Sequence, residues 1–204
     1  MELSEAIAQI AAIRAQIARA ETFRGYRSVT VAATGLLAIA AGVAQALLIS
    51  DPQREATAYL LIWISAAVLS LIATGLELVV RSRSAASPAA AQLTRLAVAQ
   101  FLPCVLAGGV MTAALVSIGH EHLRLLPGLW ALLFSLGISA SCRLLPRPVA
   151  WIGVYYLFAG GTLLLLGPSG ASLAPWAMAV TFGIGQFAGA AILYFTLERP
   201  HEPQ

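Results

Sequence analysis

The sequence predicts an all-α fold: a polytopic transmembrane bundle of six helices, preceded by one amphipathic cytoplasmic helix. Hydrophobic residues make up 59% of the chain and charged residues 10%, whereas soluble domains have about 45–50% and about 25%. Apolar runs of about 20 residues recur, and a helix of that length crosses a hydrocarbon core of about 30 Å. Short segments of turn-forming residues separate the runs.

The apolar runs define six spans, which we place at 29–49, 57–80, 96–118, 125–144, 149–166 and 174–197. The breaks between them carry turn chemistry, such as Ser-Asp-Pro after the first span and Gly-Pro-Ser-Gly before the last. Ser172 followed by Pro175 is typical of a helix start. Residues 26–198 are therefore predicted to form one transmembrane domain, followed by a cytoplasmic tail at 199–204.

Orientation follows from the arginines, which account for every basic charge in the chain. Ten fall on one side of the six-span arrangement and two on the other, so the positive-inside rule places both termini in the cytoplasm. We expect a multi-pass protein of the bacterial inner membrane. The tryptophans are predicted to lie at the membrane interfaces, with Trp63, Trp130 and Trp176 at the outer one and Trp151 at the inner one.

Residues 1–25 are predicted to form the amphipathic cytoplasmic helix. Its apolar residues recur at alternating spacings of three and four, as in a heptad stripe. The stripe consists of Leu3, Ala6, Ile10, Ile13, Ile17 and Ala20. An isolated helix of this length is marginally stable in water, so we expect it to pack on something. It could form a coiled coil with a partner or a second copy, lie on the membrane surface or fold back on the bundle.

Strongly polar residues within the spans are candidate sites, because lipid makes them costly. Glu77, Gln100 and Gln186 form a candidate intramembrane polar site. Arg81 follows Glu77 by four residues, a spacing that favours an ion pair on one helix face. A glutamine such as Gln45 inside a bundle usually forms hydrogen bonds across helices.

Small residues recur at four-residue spacing on two of the predicted spans. Ala38 and Gly42 share a face of the first span, and Gly185 and Gly189 share a face of the last. Such faces allow helices to approach closely. We therefore expect tight packing within the bundle or a dimer contact at these positions.

No motif for catalysis, metal binding or a cofactor stands out, and we expect a protein that is not an enzyme. Ser139 has no histidine on the last span to act as its base, and His120 and His122 are too few for a firm metal site. Cys104 and Cys142 are interpreted as packing residues. The net charge of +3 is spread among loops, which argues against nucleic-acid binding.

The stretches at 23–28, 126–130 and 142–148 resemble those of uncharacterised bacterial multi-span integral membrane proteins. The resemblance implies no activity and no site residues. The leading functional hypothesis is a non-enzymatic scaffold or regulatory anchor. In it, residues 1–24 engage a cytoplasmic partner or a second copy through Leu3, Ile10, Ile13 and Ile17. The alternative is a small-solute or ion transporter or channel that uses Glu77, Gln100 and Gln186.

Overall fold

The computed structural model describes residues 28–84, 88–142 and 147–199. This part of the chain is helical and contains no strand. The helices are α1 (Ser28–Leu48), α2 (Ala56–Ser84), α3 (Pro88–Ile118), α4 (Leu126–Ser141), α5 (Ala150–Leu166) and α6 (Pro175–Leu193). Short 3₁₀ helices occupy His120–Leu125, Arg147–Val149, Gly167–Ser169 and Ala171–Leu173, and a π-helix covers Tyr194–Glu198. The predicted helix at 1–25 and tail residues 200–204 lie outside the described residues.

Six helical segments are long and apolar enough to cross a membrane, which confirms the predicted number. Each has 21 to 25 residues and a mean hydropathy of 1.5 to 2.1. The α2 and α3 helices extend beyond their apolar stretches, to Ser84 and from Pro88. The α3 helix continues through Pro103.

The helices alternate between two ends of the bundle. Ser28 and Glu198 meet at one, called the Ser28 end. The connections 49–55, 119–125 and 167–174 meet at the other, called the Asp51 end. The α1 helix packs most extensively on α6, and α4 packs most extensively on α5. The α2 helix joins the bundle through α1, and α3 joins it through α4.

Glycines allow the backbones of the two tightest helix pairs to approach closely. Between α4 and α5, a Cβ on Gly160 would lie 2.9 Å from the carbonyl oxygen of Gly128. Between α1 and α6, a Cβ on Gly42 would lie 2.6 Å from that of Ala179. The predicted small face at Ala38 and Gly42 therefore packs within the bundle, since both residues are buried there.

At the Asp51 end, a hydrogen bond joins the connection 167–174 to the connection 119–125. The Ser172 hydroxyl donates to the carbonyl oxygen of Arg124 at 2.6 Å. The residue that precedes α6 is Ala174, in an extended conformation, and no side chain caps the helix. As the sequence predicts, Ser172 lies just before the last helix and Pro175 lies in its first turn. The sequence did not predict that Ser172 binds the connection between α3 and α4.

Candidate functional site

Gln45 is the most completely buried polar side chain of α1, with 0% of its surface exposed. Its Nε2 donates to the Leu173 carbonyl oxygen at 2.7 Å, and its Oε1 accepts from Trp63 Nε1 at 2.8 Å. This glutamine thus links α1 to α2 and to the turn before α6. Trp63 is 4% exposed and serves as a donor within the bundle, so its indole does not lie on the outer surface of the bundle. In contrast, Trp151 and Trp176 are exposed near helix ends.

Aromatic rings from four helices meet in the middle of the bundle, in what we call the aromatic cluster. Phe134 of α4 lies at its centre. Its ring centroid is 4.8 Å from that of Tyr156, 5.3 Å from that of Phe101 and 5.7 Å from that of Phe182. These contacts connect α3, α4, α5 and α6, and the large interplanar angles are typical of edge-to-face packing.

Two of the predicted polar residues flank the aromatic cluster on its Ser28 side. Gln100 directly precedes Phe101, and Gln186 lies one helical turn beyond Phe182. The Oε1 atom of Gln100 is buried and accepts no hydrogen bond within the described part of the chain. The Tyr156 hydroxyl, also buried, lies beside Gln186, although the two side chains are not in hydrogen-bonding geometry.

Glu77, the third predicted polar residue, lies at a different level. Glu77 is seven residues from the end of α2, and Gln100 is twelve residues from the start of α3. At 1.5 Å per residue, Glu77 is about 8 Å closer to the Ser28 end. Both of its carboxylate oxygens are buried. The Arg81 side chain lies outside the described part of the chain, so the Glu77–Arg81 pair stays a prediction.

The α2 and α3 helices share an apolar cluster at the Asp51 end. Ala56 of α2 and Leu115 of α3 are both buried there, together with Leu123 and Leu126, and Leu60 packs against them. Taken as a whole, α2 and α3 pack more weakly than any other consecutive pair of described helices.

Leu71 and Leu78 follow Leu60 on the same face of α2. Leu71 is 44% exposed, whereas Leu78 is only 6% exposed. Met111 lies one turn from Leu115 on α3 and is 37% exposed.

A hydrogen-bonded joint closes the Ser28 end of the bundle. The backbone N–H and the hydroxyl of Ser28 donate to the two carboxylate oxygens of Glu198, at 2.7 and 2.8 Å. Ser28 begins α1, and the first N–H groups of a helix have no partner within it. A carboxylate at this position also interacts favourably with the helix dipole. We call this contact the Ser28–Glu198 joint.

The joint forms where the α-helix at the end of the chain gives way to a short π-helix. Residues Tyr194–Glu198 form a π-helix, and the Arg199 N–H donates to the Tyr194 carbonyl oxygen at 2.9 Å. This five-residue bond spacing gives Glu198 a different angular position from the one that an α-helix would give it. The sequence analysis missed the joint, because Glu198 and Ser28 are 170 residues apart. The only local signal was an acidic residue at the end of an apolar span.

The described residues contain no group of three or more side chains arranged to hold a metal ion. His122 Nδ1 lies 3.6 Å from a carboxylate oxygen of Glu121, in the exposed 3₁₀ turn at the Asp51 end. Burial raises the pKa of the Cys142 thiol, just beyond the end of α4. A protonated thiol is a poor nucleophile and a poor metal ligand.

The candidate partner-binding residues Leu3, Ile10, Ile13 and Ile17 lie outside the described residues. The structure does show where the segment that contains them joins the bundle, which is at the Ser28–Glu198 joint. No protein-family model, curated protein or solved structure matches the chain.

Proposed function

We propose that the protein is a non-enzymatic scaffold or regulatory anchor of the bacterial inner membrane. Its six helices span the bilayer with both termini in the cytoplasm. Residues 1–24 engage a cytoplasmic partner or a second copy through Leu3, Ile10, Ile13 and Ile17. The six long apolar helices and the uneven distribution of arginines support this location.

The observation that carries the proposal is the Ser28–Glu198 joint. Ser28 directly follows residues 1–27 in the chain, and two hydrogen bonds to a carboxylate hold Ser28 against the end of the last helix. Hydrogen bonds to an ionised acceptor are stronger than those between neutral groups. The joint thus gives the N-terminal segment a defined starting point on the bundle, as presentation to a partner requires.

Cysteine cross-linking tests whether the heptad stripe makes the contact. In a chain with Cys104 and Cys142 replaced by alanine, we expect Ile10→Cys to cross-link to a second copy or to a partner in native membranes. Ala15→Cys, off the stripe, is the matched control and should not cross-link. Deletion of residues 1–24 should abolish the complex. The proposal is wrong if the truncated and full-length proteins form the same oligomer and retain the same partners.

A variant of the joint tests its contribution. Glu198→Ala removes both acceptors, and we expect it to weaken the Ile10→Cys cross-link, because the N-terminal segment loses its fixed starting point. Glu121→Ala, at the Asp51 end, is the control and should leave the cross-link unchanged. Equal cross-linking in Glu198→Ala and wild type would show that the joint has no role in presentation.

The second candidate is transport of a small solute or ion, and the positions of Gln100 and Gln186 favour it. Both flank the aromatic cluster on its Ser28 side, and the Gln100 Oε1 atom is buried without a hydrogen bond in the described residues. Glu77 lies closer to the Ser28 end. Transport predicts that Glu77→Gln alters flux or proton coupling in vesicles while Glu121→Gln does not. Identical flux in all three proteins would exclude a role for Glu77.

A further inference from the structure

A cavity of about 390 Å³ lies at the Asp51 end of the bundle, between the connections 49–55 and 167–174. We call it the Asp51 cavity. Binding sites for small molecules have volumes of about 300 to 1,000 Å³. The lining includes two buried apolar residues and three exposed polar ones, which are Ile49 and Leu173, and Ser50, Gln53 and Ser169. The cavity is therefore large enough for a small ligand and combines apolar with polar surface.

Most backbone N–H groups around the Asp51 cavity are already bonded within the protein. Those of Ser50 and Asp51 donate to Glu55 Oε1 at 3.0 and 3.3 Å. That of Gln53 donates to Asp51 Oδ1 at 3.0 Å. Three lining residues of the connection 167–174 donate to carbonyl oxygens of the same connection, namely Gly170, Leu173 and Ala174. The two prolines in the lining have no N–H, so a ligand finds few backbone donors here.

Hydrogen-bond acceptors, in contrast, remain at the Asp51 cavity. A continuing α1 helix would direct the Ser50 N–H to the Ala46 carbonyl oxygen, but this N–H donates to Glu55 instead. Ala46 lines the cavity, and the last carbonyl groups of a helix carry partial negative charge. Asp51 is the only ionised residue among the described residues that line the cavity. These groups favour a ligand that donates hydrogen bonds and carries positive charge.

The ion pair of Asp51 with Arg54 leaves the carboxylate able to interact with a ligand. Arg54 Nε lies 3.2 Å from Asp51 Oδ2, but 88% of the Arg54 side chain is exposed, and water weakens such a pair. The other carboxylate oxygen accepts from the N–H groups of Gln53 and Arg54, at 3.0 and 3.4 Å. These bonds fix the orientation of the carboxylate before a ligand arrives, which lowers the cost of binding.

We propose that the Asp51 cavity binds a primary ammonium group carried on an aliphatic chain. The ammonium group has three N–H donors and no acceptor, and it donates to the Asp51 carboxylate and the Ala46 carbonyl oxygen. The methylene groups contact Ile49 and Leu173. Either a soluble alkylamine or the headgroup of phosphatidylethanolamine carries this chemistry. The site goes beyond the proposed anchor function, because it lies at the end of the bundle opposite to Ser28 and does not involve residues 1–24.

Ligand-observed NMR titration of the full chain in neutral detergent tests the soluble source. The probes are n-butylamine and two molecules of similar size, 1-butanol and butyrate. We expect n-butylamine to bind at least about tenfold more tightly than either, because only the ammonium group forms charged hydrogen bonds with a carboxylate.

Native mass spectrometry tests the lipid source with phosphatidylethanolamine and phosphatidylcholine of the same acyl chains. The quaternary ammonium group of phosphatidylcholine has no N–H, so we expect it to bind at least about tenfold more weakly if the lipid is the ligand. Selectivity in one assay identifies the source of the ammonium group, and selectivity in both supports both sources. Absence of selectivity in both assays would overturn the proposal.

Paired variants locate the site. Ala46→Phe fills the Asp51 cavity, and Asp51→Asn removes its charge while it keeps an oxygen that accepts the Gln53 N–H. We expect each to reduce binding of the selected amine about tenfold or more. The matched controls are Leu47→Phe, an outward position that is 79% exposed, and Glu121→Gln, an acidic residue at the same end but outside the lining. Unchanged binding in either cavity variant, or an equal loss in the controls, would overturn the proposal.

Deletion of residues 1–24 separates this proposal from the anchor function. The truncated chain should bind the amine as the full chain does, although it should lose the complex made by the N-terminal segment. Loss of amine binding on this deletion would contradict a site at the Asp51 end.

Discussion

Gln45 shows how a polar residue is accommodated among apolar neighbours. Both ends of its amide form hydrogen bonds, one with Trp63 and one with the Leu173 carbonyl. Burying an amide without hydrogen-bond partners would raise the free energy of the folded state. If only one end of the amide were bonded, the other end would remain buried and unpaired. Sequence reasoning predicted hydrogen bonds across helices for this residue. It did not identify the partner, because the amphipathic indole of Trp63 is equally typical of a membrane interface.

We expect Gln45→Leu to lower the free energy of unfolding by about 2 to 4 kcal/mol, because it leaves two buried groups unpaired. These groups are the Trp63 indole N–H and the Leu173 carbonyl oxygen. Thermal unfolding in detergent, followed by tryptophan fluorescence, measures the change. Gln53→Leu is the control, because its side chain is exposed at the Asp51 end. Equal stability of Gln45→Leu and wild type would contradict the network.

Burial of Cys142 predicts the direction in which the pH dependence of its alkylation changes on folding. Burial raises the pKa of its thiol, so a higher pH is needed to form the reactive thiolate. In Cys104→Ala protein, the pH midpoint of alkylation by iodoacetamide should be higher for the folded chain than for the same chain unfolded in guanidinium chloride. Coincident midpoints would show that burial does not affect this thiol.

At the scale of the helix, glycines decide which pairs approach closely. The faces at Ala38 with Gly42 and at Gly185 with Gly189 were predicted from their four-residue spacing. The contact of Gly128 with Gly160 was not, because the two residues lie on different helices and neither has a small residue four positions away in the sequence. The partner of a small residue depends on which helix lies opposite, and no local pattern contains that information.

Gly160 and Gly161 form a matched pair for testing this contact. A Cβ on Gly160 would lie 2.9 Å from backbone atoms of Gly128 and Leu132, whereas a Cβ on Gly161 would meet nothing within 4 Å. We expect Gly160→Ala to destabilise the protein by about 1 to 3 kcal/mol through overpacking. Gly161→Ala should be neutral or stabilising by up to about 1 kcal/mol, since alanine favours the helix. Thermal unfolding compares the two, and equal melting temperatures would contradict the packing.

At the scale of the whole molecule, two helix pairs pack extensively, α1 with α6 and α4 with α5. The α2 and α3 helices pack less extensively on these pairs. The α1 and α6 helices pack together although they are the first and last of the described chain. The α2 and α3 helices are consecutive, yet they contact each other weakly. Chain order therefore predicts the neighbours in this bundle only in part.

Membrane topology is the prediction that belongs to this scale. We expect a reporter fused after Gln204 to be active in the cytoplasm, because ten of the twelve arginines share that side in the six-span arrangement. In the chain lacking Cys104 and Cys142, Gln53→Cys should react with an impermeant maleimide added from the periplasmic side. A periplasmic reporter, or a Gln53→Cys thiol shielded from that side, would overturn the orientation.

The sequence by itself determined how many apolar helices the chain forms and roughly where each lies. Hydropathy and turn-forming residues are properties of a single segment, and they do not depend on contacts with other segments. Only the tertiary structure decided which polar groups meet, such as Ser28 with Glu198 and Trp63 with Gln45. It also decided that the consecutive helices α2 and α3 pack only weakly on each other. The physical reason is that these features depend on contacts between segments far apart in the chain, which the periodicity of a single segment does not encode.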